Sequence, residues 1–267
     1  MNFSEKDFAD LRKAKQLLEN PGYAIKLTNL VGKPIEKGMA LLPKNWSAVV
    51  NKAVNISLNR ALGFATSTMQ STTRKGSKEM MHRVGAAASG GVGGLFGFSS
   101  LLIELPISTI IMLRSIADIA RDEGENIKSP ETELACLEVF ALGGNTKADD
   151  VADTGYYAVR TALAKLMNEA AKYIAEKGMI EEGAPAIVKF IMRIAARYGV
   201  VVSEKVAAGA VPLLGAVSGA AINTIFINHF QDMARGHFIV RRLERSYGED
   251  IVKQEYDKIY LPPVKKK

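Results

Sequence analysis

Cysteine is almost missing from this chain. Cys136 is the one thiol in 267 residues, so no intrachain disulfide can form and a reducing compartment is expected. It stands within ETELACLEVF, where helical spacing places it on an apolar face, so a packed thiol is expected rather than a nucleophile. Aromatic residues make up only 7% and are not interleaved with Lys and Arg, which disfavours a base-stacking platform and with it nucleic acid as a partner. Runs of alternating β-branched residues long enough to argue for a sheet are absent. The opening segment MNFSEKDFADLRKAKQLLEN lacks an apolar stretch of the signal-peptide kind, so a cytoplasmic protein is expected.

What the chain does contain is helical period. A hydrophobic fraction of 48% against 24% charged residues is that of a folded protein, and almost every segment repeats its apolar positions at the 3.6-residue spacing of an amphipathic helix. Residues 4–19 read as a first helix after a Ser4 cap, stopped by NPG at 20–22. From about Pro43 a longer helix places Trp46, Val49, Val50, Ala53, Val54 and Leu58 on one stripe. Further helices are predicted through LLIELPISTIIMLRSIADIARDEGE and near 130–141, 149–177, 185–209, 212–247 and 249–258. The fold class is therefore all-α: a multi-helix bundle in which residues 1–42 form an N-terminal helical extension, 43–258 the main helical domain and 259–267 a basic tail.

Two stretches are dense in small residues. In GAAASGGVGGLFG, Gly85 to Gly97, the spacing fails both phosphate-binding templates: Gly91 and Gly93 lead to Phe96 where a third glycine is needed, and no glycine is followed by Lys and Ser or Thr. On a helix, Gly85, Ser89, Gly93 and Gly97 recur every four residues, as do Ala86, Gly90 and Gly94, giving ridges along which a second helix can approach closely. Gly215 and Gly219 repeat the device. The segment after each stretch echoes the other, IMLRSIADIAR from Ile111 and IFINHFQDMAR from Ile225, at an offset of 114. Two Gly/Ala-rich apolar helical hairpins related by internal duplication are expected.

Both stretches could in length cross a bilayer, since Val84 to Ile103 and Val206 to Gln231 carry no formal charge. Gly, Ala and Ser dominate them, however; Glu104 and Pro106 interrupt the first, and Asn223, Asn228 and His229 lie in the second. Helices buried inside a large domain account for both. The balance of 35 basic against 28 acidic residues, a net charge of +7 with pI near 9.3, together with the VKKK tail, suits an anionic membrane surface.

Polar residues punctuate these apolar helices: Glu104, Arg114, Asp118 and Arg121 in the first, Asn228, His229, Asp232, Arg235 and His237 in the second. Arg114 and Asp118 are four apart, and Asp118–Arg121 and Asp232–Arg235 are three apart, so each helix can neutralise its own charges. If the copies pack by pseudo-symmetry, Asp118 and Asp232 reach equivalent places in a central polar layer. Such a layer either fixes helix register or serves as metal or acid–base groups. The second use is weakly supported: there is no E-x-x-H or H-E-x-x-H, His229 and His237 are eight apart, and His82 sits at a polar boundary. No G-x-S-x-G is present either. No catalytic residue and no cofactor is assigned.

GGVGGLFGFSSLLIELPISTIIMLRSIADIARDEGE, then CLEVFALGG, then VPLLGAVSGAAINTIFINHFQDMARGHFIVRRLERSYGED resemble the EcsC protein family of bacteria and some eukaryotes. Among the residues carrying the resemblance are Gly93, Glu104, Pro106, Arg114, Asp118, Glu125, Asn223, Arg235, Arg241 and Glu244; it covers roughly Lys44 to Tyr256. The family implies association with an ABC transporter by gene neighbourhood, and no agreed reaction. The resulting expectation is a non-catalytic accessory or binding protein, peripheral at the inner membrane, with an anionic membrane surface, a lipid or other apolar ligand, or a membrane transporter as partner. The competing reading is a metal-dependent enzyme using the central Glu/Asp/His/Arg layer.

Overall fold

Ser4 sets the first helix. Its hydroxyl oxygen accepts from the Asp7 amide at 3.1 Å, satisfying one of the orphan donors of the first turn, and Glu5 and Asp7 add negative charge to that turn. The computed structural model describes residues 3–19, 23–32, 35–68, 101–144, 155–177, 184–211 and 217–261, and every regular element among them is a helix. In chain order these are α1 (Glu5–Glu19), α2 (Tyr23–Val31), α3 (Ile35–Ala40), α4 (Trp46–Thr68), α5 (Leu101–Asp122), α6 (Pro130–Glu138, continued by a 3-10 turn at Val139–Ala141), α7 (Tyr156–Lys177), α8 (Pro185–Ala210), α9 (Val217–Tyr247) and α10 (Glu249–Lys258). The glycine run Gly85–Gly97, His82 and Gly215 lie outside the described residues.

The long helix α9 organises the rest. α5 runs parallel to it, because the bonds between them climb both sequences together: Gln231 donates to Ser115 at 2.9 Å and Arg241 to Glu125 at 2.7 Å. α1 lies antiparallel along another side, with Leu18 over Gly236 and Arg242 bound to Asp10 at 2.7 Å. α1 and α2 contribute to this core: Leu11, Ala14, Leu18, Tyr23 and Leu27 belong to the same buried cluster as Phe226 and Phe230. α8 is antiparallel to both α5 and α9, joined through Tyr198 to Thr109 at 2.8 Å and through Lys205 to Glu104 and Asn223.

At the centre the rings of Phe140, Tyr198, Phe226 and Phe230 meet with centroids 5.0 to 6.3 Å apart. All four side chains are fully buried, each stabilising the fold by about 1.5–3 kcal/mol. Close helix contact through glycine is found where α3 crosses α8: a Cβ on Gly38 would collide with the Ala207 carbonyl, so only the residue without a side chain admits that approach. α5 passes through Pro106, as the helix predicted over LLIELPISTIIMLRSIADIARDEGE does. Proline near a helix start forfeits few bonds, here the one that the Leu102 carbonyl would accept. No described helix is long and apolar enough to cross a membrane.

Candidate functional site

The nine polar residues singled out on α5 and α9 fall into separate places. Asp118 and Arg121 form a 2.6 Å pair in solvent, Asp118 being 64% exposed. Asp232 and Arg235 pair at 3.0 Å with Lys26 at 4.0 Å, Arg114 lies 5.0 Å above the Phe64 ring, and Asn228 is exposed. The two aspartates do not meet across the bundle, because α5 and α9 face each other at an offset of 116, as in Ser115–Gln231 and Glu125–Arg241, not at the 114 of the echo. Two residues on a helix are a rotation of about 200°, enough to turn a side chain from the interface to the outside.

His229 and His237 are both buried but apart in their contacts. His229 is sandwiched between Tyr23 and Phe230 at 4.6 and 4.9 Å, and neither ring nitrogen has a hydrogen-bond partner among the described residues. Burial and the Lys26 charge push it down to about 3. Room for the ring comes from Gly143, whose φ of +74° is a glycine conformation and whose Cβ, if present, would lie 2.6 Å from Cε1. His237 instead places Nδ1 3.0 Å from the Tyr156 hydroxyl and Nε2 3.7 Å from Glu138.

That second histidine belongs to a buried array which no local pattern announces. Ser129 caps α6 by accepting from Thr132 at 3.2 Å, and residues 132–138 are then all buried, so Glu138 is carried inside with the apolar residues around it. Next to it Arg160 donates to Glu244 at 2.6 Å and Tyr157 donates to the same carboxylate at 3.1 Å. Arg241 is held by Glu125, which also receives Arg245 and, at 3.1 Å, the Thr132 hydroxyl. Arg160 and Arg241 thus go to separate carboxylates, and among the described residues neither meets Glu138 directly. Burial pushes its carboxyl up to about 7 and holds His237 well below its ordinary value, so both favour their neutral forms.

Glu138 therefore makes stability depend on pH. The folded carboxyl holds its proton up to about 7, against 4.5 for the ordinary group, so its contribution is complete below pH 4.5 and is lost as pH rises through 7. Glu138→Gln has no such proton to lose, and relative to wild type it should gain on the order of 1–3 kcal/mol between pH 4.5 and 8. Urea unfolding of both proteins at pH 5 and pH 8 measures this, and an unchanged difference between them would show the carboxyl to be ionised throughout. His237, facing the same carboxyl with Arg160 and Arg241 nearby, acts oppositely, losing its contribution as pH falls below 6.5; comparison with the variant isolates Glu138.

A family model described as the EcsC protein family matches residues 5–243. The chain belongs to the EcsC protein family. No curated protein and no solved structure matches it. The EcsC match begins at the first residue of α1, so it takes in α1 to α3 as well as the segments quoted for the resemblance up to Leu243; Glu244 to Tyr256 lie beyond it.

A second polar junction of this EcsC chain joins three helix ends. Lys205, near the end of α8, donates to Glu104 in the first turn of α5 and to Asn223 in the second turn of α9, both at 3.1 Å, and stands 4.6 Å above the Phe226 ring. Glu125, Arg241 and Asn223 lie within the family match and Glu244 just beyond it, yet none stands out as a site residue by local spacing. Lys205, Glu138, Tyr156 and Arg160 stand out by neither criterion; the one sequence signal for Lys205 is that it is the charge bounding the uncharged run that starts at Val206. Among the described residues no group of three His, Cys, Asp or Glu is placed to hold a metal ion.

Proposed function

We propose that this EcsC-family protein is a non-catalytic accessory protein that attaches peripherally to an anionic membrane surface and takes lipid as its ligand. The observation that carries the reading is two exposed apolar side chains beside the end of α8, among several that the surface carries. Ile103, at the start of α5, is 67% exposed, and Leu41, just after the α3 helix that packs on the end of α8, is 57% exposed. Large apolar side chains held in water at one end of a bundle are suited to the headgroup boundary of a bilayer, and a chain of net charge +7 is drawn to an anionic one. The buried polar groups support the same class: Arg160–Glu244 and Arg241–Glu125 join helix to helix, a register-fixing use that leaves recognition to the surface. Service to a transporter follows from the family's gene neighbourhood alone.

Sedimentation with vesicles tests this. Wild type should bind phosphatidylcholine vesicles containing about one third phosphatidylglycerol and release in high salt, and Ile103→Glu with Leu41→Glu should weaken binding by about tenfold or more. Equal binding by the variant, or none by wild type, removes the reading. An enzyme is the second reading, favoured by the Tyr156–His237–Glu138 array; stoichiometric zinc, iron or manganese in the purified protein would move the assignment to that class.

A further inference from the structure

Resting on the membrane reading above, we propose that Lys205 forms the floor of a lipid-phosphate site for which Glu104 is a displaceable counterion. The two partners of this ion pair are unequally placed: the Lys205 side chain is 10% exposed and the Glu104 side chain 53%. The cation is fixed, its stem packed where α8 meets α9 and its ammonium over the Phe226 ring. The carboxylate is half in solvent and free to turn into water, and the buried ammonium it would leave unpaired calls for another anion in its place. An ammonium has three donors, and Glu104 and Asn223 take two of them. A phosphate oxygen arriving from solvent can take the third, or replace the carboxylate by a charge-assisted bond of the same kind.

The surroundings favour an anion with an apolar tail. α5 and α9 run parallel, and their first described turns meet the last turns of α8 at this end. Ile103, next to the displaceable carboxylate, supplies the exposed apolar contact. The neighbouring Glu204 faces α2 and α3 instead, where burial and Glu36 push its carboxyl up to about 7 and thin its negative charge. A phosphodiester carrying acyl chains fits this combination better than free phosphate, which has no use for Ile103.

Binding of full-length protein to vesicles with and without phosphatidylglycerol decides it. Glu104→Gln should bind phosphatidylglycerol vesicles about fivefold more tightly than wild type and Lys205→Met about fivefold more weakly, the effect of one charge near the surface. The double variant should match Lys205→Met. If Lys205→Met does not fold, as a helix-content melt will show, Glu104→Gln is set against Asp118→Asn, which removes an equally exposed carboxylate away from the junction; a gain confined to Glu104→Gln supports the site, and equal gains in both overturn it. Glu104→Gln binding no better than wild type overturns the site while the membrane reading stands. Wild type binding neither kind of vesicle overturns both. Tighter binding of inorganic phosphate alone by Glu104→Gln, with vesicle binding unchanged, assigns the junction to a soluble phosphate and overturns the lipid.

Discussion

Arg160→Met will lower the free energy of unfolding by about 3–5 kcal/mol, the usual cost of leaving one member of a buried ion pair without the other. Arg160 and Glu244 meet at 2.6 Å with both side chains largely withdrawn from water. Without the guanidinium, the Glu244 carboxylate retains, among the described residues, the Tyr157 hydroxyl alone, and Glu138 loses the first of the two cations that temper its burial. Arg160→Met combined with Glu244→Leu should recover most of the loss, since neither charge is then stranded. Urea unfolding followed by helical circular dichroism measures both; a single-variant cost below about 1 kcal/mol, typical of surface pairs such as Asp118–Arg121, would show Glu244 to be hydrated.

The contrast between those two pairs marks what could be read from the sequence. Asp118–Arg121 and Asp232–Arg235 are three residues apart, and helical geometry alone brings them together. Arg160–Glu244 and Tyr156–His237 are 84 and 81 residues apart, and no periodicity encodes which helix lies beside which. The elements themselves were legible for the same reason: the predicted stripe on α4 is the one that packs, with Val50, Ala53, Val54 and Leu58 buried. α2 and α3 escape the reading because nine and six residues are too few turns to establish a period. α6 misleads differently. Helical spacing puts Cys136 on an apolar face, but Glu133 and Glu138 are buried as well, so the helix is enclosed all round and its acids become interior groups.

Charge boundaries offer a signal that period does not. The first uncharged run ends at Glu104 and the second begins at Lys205, and these two bounding charges pair with each other. An ion at the edge of a long apolar stretch has few partners within its own helix, so the corresponding ion of the neighbouring helix is the one available. The same reasoning places the junction at the ends of the helices, beside exposed Ile103, and not in the centre where the polar layer was expected.

Phe230→Ala is expected to cost about 3–5 kcal/mol, and its position argues for the upper part of that range. The ring contacts Phe140, Tyr198, Phe226 and His229 with centroids 5.2, 5.4, 5.3 and 4.9 Å away, so truncation removes four ring pairs along with the buried area. Neighbours cannot close the gap easily: Tyr198 is tied to Thr109 through its hydroxyl, and Phe140 sits in the fully buried 3-10 turn after α6. Phe230→Leu, which keeps most of the volume, should cost no more than about 1.5 kcal/mol. Phe226 lies between this hub and the Lys205 ammonium, so loosening the hub should also weaken phosphatidylglycerol binding in Phe230→Ala while Phe230→Leu binds as wild type does. Unfolding midpoints that barely separate the two variants would mean that the aromatic centre is loosely packed, and a positioned cation at Lys205 could not then depend on it.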